Sequence, residues 1–170
     1  SHRRKSALPQ ILFFGDSHTV AVRAALGRMT VPDHLQVTVH QFTRIKNGKL
    51  IGTISQDDAI LVCRQLAEDD LVVSMVGGNK HSTMGLVQHP MPFDFPDADG
   101  RFACAEGVTL IPRKTMLSLF DASLRGTDCA RIRALAAAGR HRTVHVSAPP
   151  PKADDAHIMK RVETAFLAAG

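Results

Sequence analysis

The sequence predicts one α/β domain built on a doubly wound parallel sheet, and three observations lead there. Gln10-Ile11-Leu12-Phe13-Phe14 and Leu71-Val72-Val73-Ser74-Met75-Val76 are short apolar runs closed by glycine, the pattern of strands buried on both faces. Helical periodicities alternate with these runs, which calls for right-handed crossover connections. The runs end in Gly15-Asp16-Ser17 and Gly77-Gly78-Asn79, so parallel strands would bring two polar, glycine-flanked clusters to one edge, where open α/β sheets bind ligands.

The elements follow in order. Residues 1–9 are polar and basic and end in Pro9, a flexible tail ahead of a domain over 10–170. After the first strand, Val20, Val22, Ala24, Ala25 and Leu26 suit a helix from His18 to Arg28, and Pro32-Asp33 marks a turn. Leu35 to Phe42 alternates with period two and is rich in β-branched residues, which predicts a strand at a sheet edge. Arg44 to Lys49 reads as a basic loop, and Ser55 as the cap of a helix over 56–67. From Ser82 to Pro112 the periodicity fails among prolines and glycines, so this stretch is expected to be a loop excursion, with a short hairpin between Phe102-Ala103-Cys104 and Val108 to Ile111. Helices are expected over Lys114 to Leu124 and Thr127 to Ala138. A fourth strand covers Thr143 to Ala148, and a last helix begins at Asp154 or Asp155.

Composition narrows the function. A chain of 170 residues, 44% hydrophobic and 22% charged, has the balance of a globular domain with a real core. Trp and Tyr are absent and eight Phe supply all the aromatic side chains, which speaks against base-stacking nucleic-acid modules. The net charge of +5 includes Arg3, Arg4 and Lys5 in the tail, and Arg131, Arg133, Arg140, His141 and Arg142 form a second basic group. Both are expected to be solvated surface, with an acidic partner as the alternative. Cys63, Cys104 and Cys129 have neither zinc-ligand spacing nor a disulfide pattern. No apolar run reaches the roughly 18 residues of a membrane span, and no signal-peptide core is visible, so a cytoplasmic protein is favoured.

An ester hydrolase needs a nucleophile, donors aimed at the developing oxyanion and a histidine base held by an acid. Ser17 can be the nucleophile. The Asn79 amide, the Ser17 backbone N–H and a glycine N–H can be the donors. The competing reading of the first cluster is a turn in which Asp16, Ser17 or Thr19 caps the following helix. Asp16 is expected to hold the turn through local backbone N–H groups rather than to move protons. His81 lies close enough to Asn79 to contact substrate, or is a surface loop residue. His40 and His145 fall in strands and are expected to be structural.

Phe14-Gly15-Asp16-Ser17 and Gly77-Gly78-Asn79 resemble the first and third sequence blocks of the SGNH (GDSL-type) hydrolases. The resemblance implies a flavodoxin-like three-layer α/β/α fold, a catalytic Ser17 and Asn79 in the oxyanion hole. It also implies a backbone glycine after the second strand, Gly48 or Gly52, with Gly48 preferred as nearer the strand end. The family's Asp-x-x-His block is matched in spacing by Asp154-Asp155-Ala156-His157, making His157 the base and Asp154 its orienting acid. That tetrapeptide follows the fourth strand directly, where the family has a helix and a fifth strand, so the sheet would lack a C-terminal strand. Otherwise Asp154 and Asp155 are acids at a helix N-terminus and His157 a surface residue.

The expected function is therefore hydrolysis of small acyl or acetyl esters, on a small-molecule or glycan substrate, with no metal or organic cofactor. Two alternatives remain. A fold that has lost its acid–base pair would be a binding module. A metallophosphoesterase is echoed by Asp16-x-His18 and by Gly78-Asn79 with His81, but Lys80 interrupts the second block and further ligand motifs are missing.

Overall fold

The structure, a computed structural model, describes residues 8–77 and 93–147. In chain order its elements are β1 (Gln10–Gly15), α1 (His18–Leu26), β2 (Gln36–Gln41), β3 (Arg44–Lys46), β4 (Lys49–Ile51), α2 (Gln56–Arg64) and β5 (Leu71–Met75). There follow β6 (Phe93–Asp94), β7 (Thr109–Leu110), α3 (Arg113–Arg125), α4 (Thr127–Ala137) and β8 (Arg142–His145). The tail before residue 8 and the expected last helix lie outside the described residues. The chain divides into two compact units, Ser1–Gly78 with Thr127–Ala148, and Asn79–Gly126 with Pro149–Gly170. The stretch expected as an excursion within one domain thus belongs to a unit that also takes in α3.

The first unit is the α/β body. Its sheet has the order β2-β1-β5-β8, with every neighbouring pair parallel. Counting sheet strands alone, this is the 2-1-3-4 order of flavodoxin-like folds. The chain crosses from β1 to β2 in one direction and from β2 to β5 in the other. Right-handed crossovers therefore put α1 and α2 on opposite faces. Leu12, Phe14 and Val72 present one face to Ala59 and Cys63 of α2 and Leu135 of α4, and all six are essentially fully buried. Each large aliphatic or aromatic side chain so buried contributes about 1.5–3 kcal/mol. The strand expected at a sheet edge, β2, does lie at the edge.

Polar groups set the element ends. Ser55 has extended ψ (164°), and its Oγ accepts the Asp58 N–H at 3.1 Å, a true N-cap. Helix α2 stops at Arg64, short of the expected residue 67. The buried Asp70 carboxylate accepts the Ala67 N–H at 2.7 Å and the Gln10 N–H at 2.8 Å, drawing 65–70 into a turn that latches onto the start of β1. The expected basic loop is instead a hairpin. β3 and β4 pair antiparallel around Asn47 (φ 51°) and Gly48 (φ 73°), a two-residue turn with both central residues left-handed.

The second unit, over its described residues 93–126, joins β6 and β7 in a short parallel pair and sets Phe95 edge-on to Phe120 of α3 at 6.0 Å. The hairpin expected between residues 102–104 and 108–111 does not form: Thr109-Leu110 pairs with β6 instead, and carboxylates take up amides in and beside the first arm. Asp97 accepts the Arg101 and Phe102 N–H groups at 3.2 and 3.3 Å, and the buried Asp94 accepts that of Ala105 at 2.9 Å. Desolvation pushes the Asp97 carboxyl up, but backbone donors from Phe102, Arg101 and Asp99 and the Arg101 charge outweigh it, so its pKa falls below the ordinary value. Among the described residues no helix is long and apolar enough to cross a membrane.

Candidate functional site

The turn after β1 is formed by close approach. A Cβ on Gly15 would lie 2.7 Å from the Met75 carbonyl oxygen, so glycine lets the ends of β1 and β5 meet. The chain then enters α1 through Asp16 and Ser17. The Asp16 carbonyl accepts the Thr19 Oγ1–H at 2.6 Å and the Thr19 N–H at 3.2 Å. Thr19 is fully buried and Ser17 is exposed.

The two serines at helix starts behave differently. Ser55 caps α2, whereas Ser17 has helical φ and ψ (−61°, −26°) and its side chain makes no capping hydrogen bond. An N-cap side chain reaches the amides of the first turn from an extended backbone, which Ser17 does not have. The capping reading of Ser17 is therefore corrected: its hydroxyl stands exposed at the carboxyl end of a central strand.

The Asp16 carboxylate reaches across the sheet rather than into its own turn. Its Oδ2 accepts the Gly77 N–H at 3.3 Å, and its Oδ1 lies 3.9 Å from Nη1 of Arg131 on α4. The Arg131 Nε donates to Gln56 Oε1 at 3.1 Å, and its guanidinium lies 4.7 Å from the centre of the Phe42 ring. Phe42 in turn donates its N–H to the Gly15 carbonyl at 2.8 Å. One half-buried cation thus braces the turn after β1, the residue following β2 and the start of α2. This corrects the expectation that Arg131 belongs to a solvated surface. The signal that places it inward is helical spacing, since it lies four residues before the fully buried Leu135.

The structure separates the two candidate glycines. Gly48, the glycine preferred as nearer the strand end, sits at the exposed hairpin tip, where an added Cβ would meet nothing within 4 Å. Gly52 (φ 104°) is the glycine pressed against the end of β2: a Cβ there would run into the Phe42 carbonyl. Asn79, Gly78, His81, Asp154 and His157 lie outside the described residues.

The strand histidines have structural partners. His40 stacks on Phe14 with ring centres 5.2 Å apart, and burial, then the Arg23 charge, lowers its pKa below 6.5. His145 Nδ1 lies 3.2 Å from Ser74 Oγ, across the β5–β8 pair. Ser74 is completely buried, so this second serine–histidine pair ties two strands and cannot meet a substrate. Cys63 is buried in the core and burial pushes its thiol up to about 11.

Among the described residues, no group of three or more His, Cys, Asp or Glu gathers as a metal site would require. Asp16 is engaged by a backbone N–H and a guanidinium, an arrangement that serves a turn brace better than a metal ligand. The molecule is thus a doubly wound α/β protein with an exposed serine at the carboxyl end of a central strand. No family model, curated protein or solved structure matches the chain.

Proposed function

We propose that the protein is a serine-dependent ester hydrolase acting on small acyl or acetyl esters. The observation that supports this reading best is Ser17 itself, exposed, free of any capping role, and held on a turn braced to the end of β5. In the proposed reaction the Ser17 Oγ attacks the ester carbonyl as its proton passes to a base, His157 oriented by Asp154. The oxyanion is held by the Ser17 N–H, the Asn79 amide and a backbone N–H in the loop after β2, for which Gly52 is the better-placed glycine. Collapse expels the alcohol, which takes the proton from the imidazolium. Water, deprotonated by the same base, then releases the acid from the acyl-serine.

The test is turnover of p-nitrophenyl acetate by wild type, Ser17→Ala and His157→Ala. Loss of about 100-fold or more in Ser17→Ala is expected for removal of a nucleophile. Wild-type activity in Ser17→Ala would sink the serine mechanism, and wild-type activity in His157→Ala alone would move the base elsewhere. A folded wild type that neither turns over esters nor is acylated at Ser17 would favour the binding module.

A further inference from the structure

The β3–β4 hairpin carries an arrangement that the ester reading does not use. Every residue from Thr43 to Leu50 is exposed. Ile45 and Leu50 are 77% and 73% exposed, more than any other large hydrophobic residue described, and they are cross-strand partners, so they stand together on one face. Arg44, Lys46 and Lys49 occupy the register positions of the other face, with Lys46 directly opposite Lys49. Like charges in that position oppose pairing, and nothing acidic in the neighbouring sequence offsets them: no Asp or Glu occurs between Asp33 and Asp57.

We propose that this hairpin docks the protein onto an anionic lipid surface. The combination of chemistries selects the partner. A nucleic acid would satisfy the cations but has no use for two opposed aliphatic side chains, and the hairpin offers no aromatic ring for stacking. A lipid headgroup layer accepts both. Ile45 and Leu50 enter the acyl boundary, while the long stems of Arg44, Lys46 and Lys49 let their charges remain among anionic headgroups. The hairpin leaves the carboxyl end of β2, which runs parallel to β1, so docking presents to the lipid the same sheet edge that carries Ser17. Docking itself does not depend on the chemistry of Ser17.

Co-sedimentation with vesicles tests this on the whole chain. Wild type is expected to pellet with phosphatidylserine/phosphatidylcholine vesicles, not with phosphatidylcholine alone, and to be released at about 0.5 M salt. Arg44→Gln/Lys46→Gln/Lys49→Gln is expected to weaken binding about 100-fold, at about fivefold per cation. Ile45→Ser/Leu50→Ser is expected to weaken it at least tenfold at unchanged charge. Far-UV circular dichroism confirms that each variant is folded, which the exposed positions allow. Ser17→Ala should bind as wild type does, so failure of docking and failure of the ester reading are separate results. The proposal is overturned if wild type ignores anionic vesicles, if folded Ile45→Ser/Leu50→Ser binds them undiminished, if the protein pellets equally without lipid, which would mark self-association, or if it binds duplex DNA but not vesicles.

Discussion

Replacing Arg131 by methionine keeps most of the stem and removes the charge that braces the turn after β1. At 3.9 Å from Asp16, with the two side chains 22% and 23% exposed, the gross attraction is about 4 kcal/mol at an effective dielectric near 20. Desolvation and residual screening cut the net to about 1 kcal/mol. The hydrogen bond to Gln56 adds about 1 kcal/mol, and the guanidinium over Phe42 about 0.5–1 kcal/mol. Arg131→Met is thus expected to cost about 2–3 kcal/mol, a fall of about 4–12 °C in Tm for a chain of this size. With no Trp or Tyr to report by fluorescence, the assay is far-UV circular dichroism. The decisive quantity is the coupling with Asp16→Asn in a double-mutant cycle, expected near 1 kcal/mol. Additivity to within about 0.3 kcal/mol would refute the brace.

Three further outcomes follow from other parts of the first unit. Gly52→Ala places a Cβ against the Phe42 carbonyl in a left-handed backbone, whereas Gly48→Ala meets open space; Gly52→Ala should lose at least about 3 kcal/mol by thermal melts and Gly48→Ala about 1 kcal/mol. The pKa of His40 is lowered by folding, so below about pH 6.5 the unfolded chain takes up its proton first and stability falls as the pH drops toward the folded value. Tm measured from about pH 7 to about pH 5 should therefore decline more steeply for wild type than for His40→Gln, and equal slopes would remove His40 from the account. Cys63, buried and with its thiol pushed up to about 11, should resist iodoacetamide in the native protein and react on denaturation, whereas labelling of native Cys63 as fast as the half-buried Cys129 would contradict the core packing.

The parallel sheet was legible because Ile11 to Phe14 and Leu71 to Met75 lie in strands covered on both faces, and cover on both faces writes a continuous apolar run. The hairpin was present in Asn47-Gly48, but its three-residue arms are too short and too exposed to show a period. The second unit escaped because its pairing is decided by Asp94 and Asp97 taking up amides up to 11 residues away, chemistry that looks in sequence like any acidic loop. The place of Ser17 could be read from the strand end; the helical backbone that withholds its side chain from capping could not. Arg131 was invisible as a brace because its partners, Asp16, Phe42 and Gln56, are remote in sequence: helical spacing from Leu135 turns it inward but names none of them.

The central position of β1 also governs how the protein comes into being. Its neighbour β2 follows soon after it in the chain, but Asp16 and Gly77 are 61 residues apart, and β8 comes much later. During synthesis, Ile11, Leu12, Phe13 and Phe14 leave the ribosome long before β5 exists to pair with them. At about 5–20 residues per second, that interval lasts about 3–12 seconds. The nascent chain therefore displays this apolar strand well before β5 can shelter it, so translation speed and chaperone capture of that segment should weigh on the yield of folded protein.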